Sequence, residues 1–503
     1  MDDSGPRKKT TLDKDLKRIG LLEAAVQETG QQIVKLGFGV VFLVAISIAA
    51  FIAFYDLSPR TNYSFYVVAA CIIGGYMALN IGANDVANNV GPAVGSKALT
   101  LVGALAIAAI FEAAGAILAG GDVVSTIKKG IIDPALFPDT GTFIRAMLAA
   151  LLAAALWLNL ATYLGAPVST THAIVGGVMG AGITATGMAA VNWGTMSKIA
   201  ASWVISPVLG GLIAAGFLAF IKFFIYYNDD MIVAARRWVP VLVSIMASVF
   251  AVYLVMKGLK KIWKPDAWMI AAIGAGAFVV GHALVKPVVV KASATLENRR
   301  KAVSTLFTIP LIFSAALLSF AHGANDVANA VGPLAAIVDA AATGGISKEV
   351  GVPLWVMLVG AFGIAAGLVL FGPKLIRTVG QQITKLDRAR AFCVALSAAI
   401  TVIIASALGL PVSSTHIAVG GVFGVGFLRE YLSYRRRRLR EEEVNNAIKT
   451  ASPAKLEKRM EKARARKLVR RKHLTTIVAA WLVTVPLAAL LAALLFFLFQ
   501  LFA

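Results

Sequence analysis

The sequence predicts an all-α polytopic membrane protein of about twelve transmembrane helices built around a duplicated unit, and three observations lead there. The 503-residue chain is 58% apolar with a mean hydropathy of +0.79, more than a soluble domain needs to fill its core. Apolar runs of about 20 residues, the length that crosses a bilayer, recur throughout. Two motifs set within those runs are each written twice, in the same order and at nearly the same spacing.

Residues 1–36 form a polar N-terminal segment, too long for the n-region of a cleavable signal, so no cleavage is expected. Apolar runs follow at 37–55, 64–82, 99–120, 143–164, 172–190, 199–225, 239–256, 268–285, 303–321, 353–373, 390–409 and 474–502. Shorter pieces after Asn88, Asn329 and His416 are left over. The organisation expected is a first membrane unit with repeat 1 at 37–190, middle spans and loops at 191–302, and repeat 2 at 303–428. A basic loop at 429–473 and a C-terminal transmembrane helix at 474–503 complete it.

The net charge of +22 is concentrated rather than spread. Between Arg429 and Lys472 stand 17 Lys or Arg against six Glu, flanked by apolar spans. The positive-inside rule places this loop in the cytoplasm, beside anionic lipid heads, and argues against nucleic acid as the partner. One span follows, so the C-terminus is expected outside the cytoplasm, and the basic "RKKTTLDKDLKR" near the N-terminus inside it. The protein is thus expected to be integral to the plasma (inner) membrane, where a homodimer is compatible with the sequence. Cys71 and Cys393 lie within apolar spans and read as packing residues. There is no Walker sequence, CxxC or HExxH, so neither an enzyme, a catalytic residue nor a cofactor is expected.

The duplication carries the function. "GANDVANNVG" from Gly82 and "GANDVANAVG" from Gly323 agree at nine of ten positions, and each precedes a second motif, "PVSTTH" at Pro167 and "PVSSTH" at Pro411, by 85 and 88 residues. Between them "AGAILAGGDVVSTIKKGI" from Ala114 aligns with "AGLVLFGPKLIRTVGQQI" from Ala366, placing Thr126 opposite Thr378. Internal repeats with interrupted helices at matching positions mark secondary transporters whose site lies near the midplane.

In the second motif, Pro167 and Pro411 break the preceding helix and Ser169 and Ser413 are N-cap residues opening a new apolar helix. Each reads as a half-helix beginning inside the membrane, whose free N–H groups and dipole favour an anion. Two such ends facing one another offer the hydroxyls of Ser169, Thr170, Thr171, Ser413, Ser414 and Thr415 to an oxyanion. His172 and His416 either titrate with the substrate and shuttle a proton or hydrogen-bond a carbonyl near the broken helix.

In the first motif, helical spacing puts Asn84, Asp85 and Asn88, and again Asn325, Asp326 and Asn329, on one face. Oxygen ligands suit hard cations. A carboxylate costs about 2.5–3.5 kcal/mol at a helix centre, and a bound Na⁺ or proton removes that cost. An anion site beside two cation sites is the arrangement of a symporter. Gly82, Gly91, Pro92 and Pro333 are expected to bend the backbone and expose carbonyls as further ligands. Pairing of the acids with Lys97 or Arg377 is the competing explanation, but Lys97 has Val338 at the equivalent place.

With these motifs the sequence resembles the inorganic phosphate transporter (PiT) family, over residues 64–190 and 303–428. The resemblance implies a secondary transporter importing inorganic phosphate with Na⁺ or H⁺, made of inverted repeats with re-entrant helical hairpins. It implies phosphate at residues 169–171 and 413–415, and cations at Asp85, Asn88, Asp326 and Asn329 with nearby Asn and backbone oxygens. Glu112 has Ile364 as its counterpart and either tunes coupling or faces a wet cavity. Lys128 and Lys129, opposite Gly380 and Gln381, either attract anions or mark a membrane boundary. A transporter of another tetrahedral oxyanion such as sulfate would use the same donors. A channel or scaffold would not need the matched acids.

Overall fold

A computed structural model describes residues 34–53, 63–164, 168–258, 263, 265–345, 351–382, 386–447 and 471–501. Pro167, the polar N-terminal segment and much of the basic loop lie outside the described residues. Among those described there is no strand, only one isolated bridge between Ile132 and Val191. In chain order the helices are α1 (Val34–Ala53), α2 (Ser64–Gly95), α3 (Leu101–Ala119), α4 (Gly121–Lys129), α5 (Thr140–Leu164), α6 (Thr170–Thr186) and α7 (Trp193–Ile221). There follow α8 (Met231–Tyr253), α9 (Ala267–Ser293), α10 (Arg300–Val303), α11 (Thr308–Thr343), α12 (Leu354–Gln382), α13 (Arg388–Ala407), α14 (Ser414–Ala447) and α15 (Arg471–Leu501). Eleven of the described helical segments are long and apolar enough to cross a membrane. The run expected at 172–190 is instead the 17-residue half-helix α6.

The Asn/Asp motifs do not interrupt their helices. α2 and α11 run on through them, with Pro92 and Pro333 inside the helices; each proline, having no N–H, leaves the carbonyl four residues earlier, that of Asn88 or Asn329, without its helical donor. Within a bilayer a broken helix orphans backbone groups that no water can satisfy, and continuing it limits that loss to one carbonyl in each helix. The glycines serve close packing instead. A Cβ on Gly82 would collide with the Ile364 carbonyl, and one on Gly367 with that of Leu79. Likewise Gly323 meets the Glu112 carbonyl and Gly115 that of Phe320. The four positions are equivalent in pairs, Gly82 with Gly323 and Gly115 with Gly367. Each unit's second helix therefore crosses the other unit's first, α12 on α2 and α3 on α11.

The same exchange recurs further along the chain. Gly176 and Gly180 of α6 press on the backbone of Val485 and Ala489 in α15, and Gly420 and Gly424 of α14 on Pro207 and Gly211 in α7. Aligned on these contacts, Trp203 stands opposite Trp481 and Ser206 opposite Thr484. Within 191–302, then, α7 packs on the second unit's half-helix, while α8 and α9 pack mainly on each other. α9 leaves nearly all its surface facing outward, as suits lipid.

α5–α6 and α13–α14 are hairpins whose tips reach the middle of the long helices. Asn84 donates to the Val168 carbonyl at 3.2 Å. Asn325 donates to Leu410 O at 3.1 Å and accepts from the Val412 N–H at 3.1 Å. Gly409, at φ +67°, makes the second turn in a region L-residues disfavour. At the mouth of the first hairpin, Asp139 accepts from the Thr142 hydroxyl at 2.6 Å and its N–H at 2.8 Å, bonds that hold the carboxyl below its ordinary range. A lowered folded pKa means the cap stabilises fully above about pH 4 and is lost as pH falls through the lowered value. Asp139→Ala is expected to cost about 1 kcal/mol, read as a lower melting temperature at pH 7, with the gap from the parent narrowing below about pH 4.

Candidate anion and cation site

Each half-helix meets the Asn/Asp motif of the other unit. Thr415 of α14 donates to Asp85 Oδ1 at 2.9 Å, and Asn88 of α2 donates to the same oxygen at 3.2 Å and to the Thr415 hydroxyl at 2.8 Å. In the mirror arrangement Thr170 of α6 donates to Asp326 Oδ2 at 3.2 Å, while Asn329 donates to the hydroxyls of Thr170 at 3.3 Å and Thr171 at 3.2 Å. Ser414 adds a long contact to Asp326 Oδ2 at 3.5 Å. Both carboxylates are fully buried.

The remaining hydroxyls build the tips. Ser169 and Ser413 accept from the N–H of His172 and His416 at 3.1 and 3.3 Å, each capping its own helix. Thr171 donates to Val412 O at 3.0 Å and so joins one tip to the other. The first N–H groups of α6 and α14 have no partner in an earlier helical turn and lie beside these hydroxyls. Asn84 and Asn325 are placed at the tip backbones, although Asn84 also donates to Asp85 Oδ1 at 3.1 Å.

Between the two acids stands a residue the sequence analysis did not single out. His322 Nε2 is 3.1 Å from Asp326 Oδ2 and 3.7 Å from Asp85 Oδ2, and Nδ1 is 3.3 Å from Glu112 Oε2, with every side chain wholly or almost wholly buried. Glu112 also accepts from Asn89 at 2.7 Å, so it faces this site rather than a wet cavity. The signal for His322 was available: it lies four residues before Asp326, the spacing that places helical residues on one face. Asn89 and Glu112 share no such spacing, being brought together by the crossing of separate helices.

Charge decides what the site can hold. Three buried carboxylates face one imidazole, so even with the ring protonated two negative charges remain. Uncompensated buried charge costs several kcal/mol per ion, so cations or protons must neutralise it. Asp85 Oδ2, Asp326 Oδ1 and Asn329 Oδ1 are buried acceptors with no hydrogen-bond donor among the described residues, and hard oxygen atoms of this kind suit Na⁺. One ligand atom each of Asp85, His322 and Asp326 lie within 4.8 Å of one another. Neither acid pairs with Lys97, and the side chain of Arg377 lies outside those described; among the described residues the basic neighbour of both acids is His322.

His172 and His416 meet at the junction of the tips, ring centroids 4.7 Å apart, and His172 packs on Trp203 of α7 at 3.8 Å. Trp203 donates to the Pro411 carbonyl at 3.2 Å, which ties α7 to the second tip. The sequence offered no signal for Trp203 until α7 and α15 could be aligned.

The family model described as the Phosphate transporter family matches residues 81–492. A Helicobacter pylori J99 protein named "Putative phosphate permease" is 47% identical, covering 96% of this chain and 98% of its own. The "Inorganic phosphate transporter 2-1, chloroplastic" of Arabidopsis thaliana is 38% identical over 84% of this chain and 70% of its own. A solved structure named "The sodium-dependent phosphate transporter" superposes with a TM-score of 0.77 at 36% identity, covering 87% of this chain and all of that one. The matched motifs, the crossed hairpins and a family model spanning most of the sequence lead to one conclusion: this chain is an integral membrane protein, a transporter rather than an enzyme, and it belongs to the phosphate transporter family.

Proposed function

We propose that the chain imports inorganic phosphate across the plasma (inner) membrane by alternating access, with Na⁺ as the coupling ion. The observation that carries this reading is the crossed bonding, Thr415 with Asp85 and Thr170 with Asp326. It puts two half-helix N-termini, which favour an anion, against buried carboxylates that require cations. An anion entering alone would meet those carboxylates and be repelled; Na⁺ on the free oxygens of Asp85, Asp326 and Asn329, with Asn88 beside them, removes the repulsion. The sodium dependence named for the similar structure favours Na⁺ over H⁺. An inward Na⁺ gradient makes the direction import, and the basic 429–473 loop, read as cytoplasmic, orients the chain.

The test is phosphate affinity. Thr170→Ala/Thr171→Ala and Ser414→Ala/Thr415→Ala each leave donors or acceptors unpaired at about 1–3 kcal/mol per group, while the half-helix N–H groups survive. Each pair is expected to weaken phosphate binding by about ten- to a hundredfold, measured by isothermal titration, with a smaller loss of Na⁺ affinity because Thr170 and Thr415 also touch the acids. Parent-like phosphate binding in either double variant would remove that half-helix from the site.

The two units are inverted in this reading. Met188, after the first half-helix, and Tyr434, on the continuation of the second, are both well exposed. Cysteines there are expected to react with impermeant reagents from opposite faces, Met188→Cys from outside and Tyr434→Cys from the cytoplasm. Labelling from one face would make the repeats parallel.

A further inference from the structure

A second charged cluster lies away from the crossed acids. Lys128, the penultimate residue of α4, pairs with Asp339 near the far end of α11 at 2.9 Å, with side chains only 8% and 6% exposed. Lys129 stands next to it, more exposed. Both lysines and Asp339 line a narrow cleft, open on one side, walled by Pro134, Phe143 and Ala336. Asp339 Oδ1 is buried with no donor among the described residues. A buried ion pair is by itself weak support for stability, because desolvation offsets its attraction.

The duplication sharpens this. At the equivalent positions the other unit has Gly380 for Lys128, Gln381 for Lys129 and Ala98 for Asp339, so the cluster exists in one unit only. Counting helices from the cytoplasmic 429–473 loop, the ends of α4 and α11 lie on the outer face. α4 is also tied to the second tip, since Thr126, two residues before Lys128, donates to the Gly409 carbonyl at 2.7 Å.

We propose that the cleft between Lys128, Lys129 and Asp339 is an outer docking site for a protonated phosphate group, occupied before the crossed site. The two ammonium groups donate to the anionic oxygens, and the P–OH donates to Asp339 Oδ1, the acceptor left without a partner. Sulfate, with no proton to give at neutral pH, lacks that last bond. The phosphate group could belong to free inorganic phosphate or to a lipid head. The proposal commits to the free ion, and it rests on the importer reading for its orientation.

The experiment separates docking from transport. Pro134→Cys is made in a chain with Cys71 and Cys393 replaced by Ala and with Asp85→Asn, so that uptake is not needed for the readout. In phosphatidylcholine vesicles, external phosphate is expected to slow reaction of this cysteine with an impermeant thiol reagent by about threefold or more, sulfate much less, and Lys129→Gln to remove the protection. In the transport-competent chain, Lys129→Gln is expected to raise KM for phosphate about fivefold with kcat nearly unchanged. Labelling indifferent to phosphate would overturn the proposal even if uptake is normal. So would labelling slowed only by phosphatidic acid in the bilayer, which would assign the cleft to lipid.

Discussion

Asp85→Asn and Asp326→Asn are each expected to lower Na⁺-driven phosphate uptake by about a hundredfold or more while the protein remains folded and inserted. The substitution keeps the shape and removes one negative charge, so the threonine contacts to each position can persist as hydrogen bonds. What is lost is the charge that makes Na⁺ binding favourable beside an anion. Asp85 and Asp326 share His322, so removing either acid also changes the field on the other, and the effects are not expected to add. Uptake in reconstituted vesicles, with size-exclusion profiles as the folding control, measures this. Uptake within about twofold of the parent in both variants would separate the acids from coupling.

The second large effect is structural. Gly82 and Gly323 stand where α2 meets α12 and α11 meets α3, and a methyl group at either would enter a backbone carbonyl, that of Ile364 or Glu112. Backbone cannot step aside as a flexible side chain can, so the helices must separate. Gly82→Ala and Gly323→Ala are expected to destabilise by about 3 kcal/mol, toward the upper end of overpacking costs. Gly91 lies on the same helix as Gly82 with open space around it, and Gly91→Ala is expected to be neutral or slightly stabilising because alanine favours the helix. Thermal unfolding in detergent compares them. A Gly82→Ala protein melting with the parent would mean that the crossing is looser than described.

Much of this was legible in the sequence, for physical reasons that also set the limit. Hydropathy located the spans because the bilayer admits few structures, and the duplicated motifs located the acids and half-helices because polar residues at those depths are costly. Helical spacing placed Asp85 with Asn88 and Asp326 with Asn329. It could not show that Thr415 would reach Asp85 across 330 residues of sequence, since that depends on hairpins exchanged between units. Gly82 and Pro92 were read as bends because both residues weaken helices in water; in the membrane the glycine is a contact surface and the proline stays within the helix. The repeat at α7 and α15 escaped detection because its shared residues are small or apolar and spaced for packing, with only Trp203 and Trp481 as conspicuous marks.

The central claim is that buried acids couple cations to the movement of phosphate, and flux in vesicles tests it most directly. Purified protein is reconstituted, and labelled phosphate is followed under an imposed Na⁺ gradient, an imposed proton gradient, or neither, each with and without excess sulfate. The account predicts saturable accumulation above equilibrium under the Na⁺ gradient, little affected by sulfate, and none without a cation gradient. Phosphate that merely equilibrates whichever gradient is imposed would contradict it.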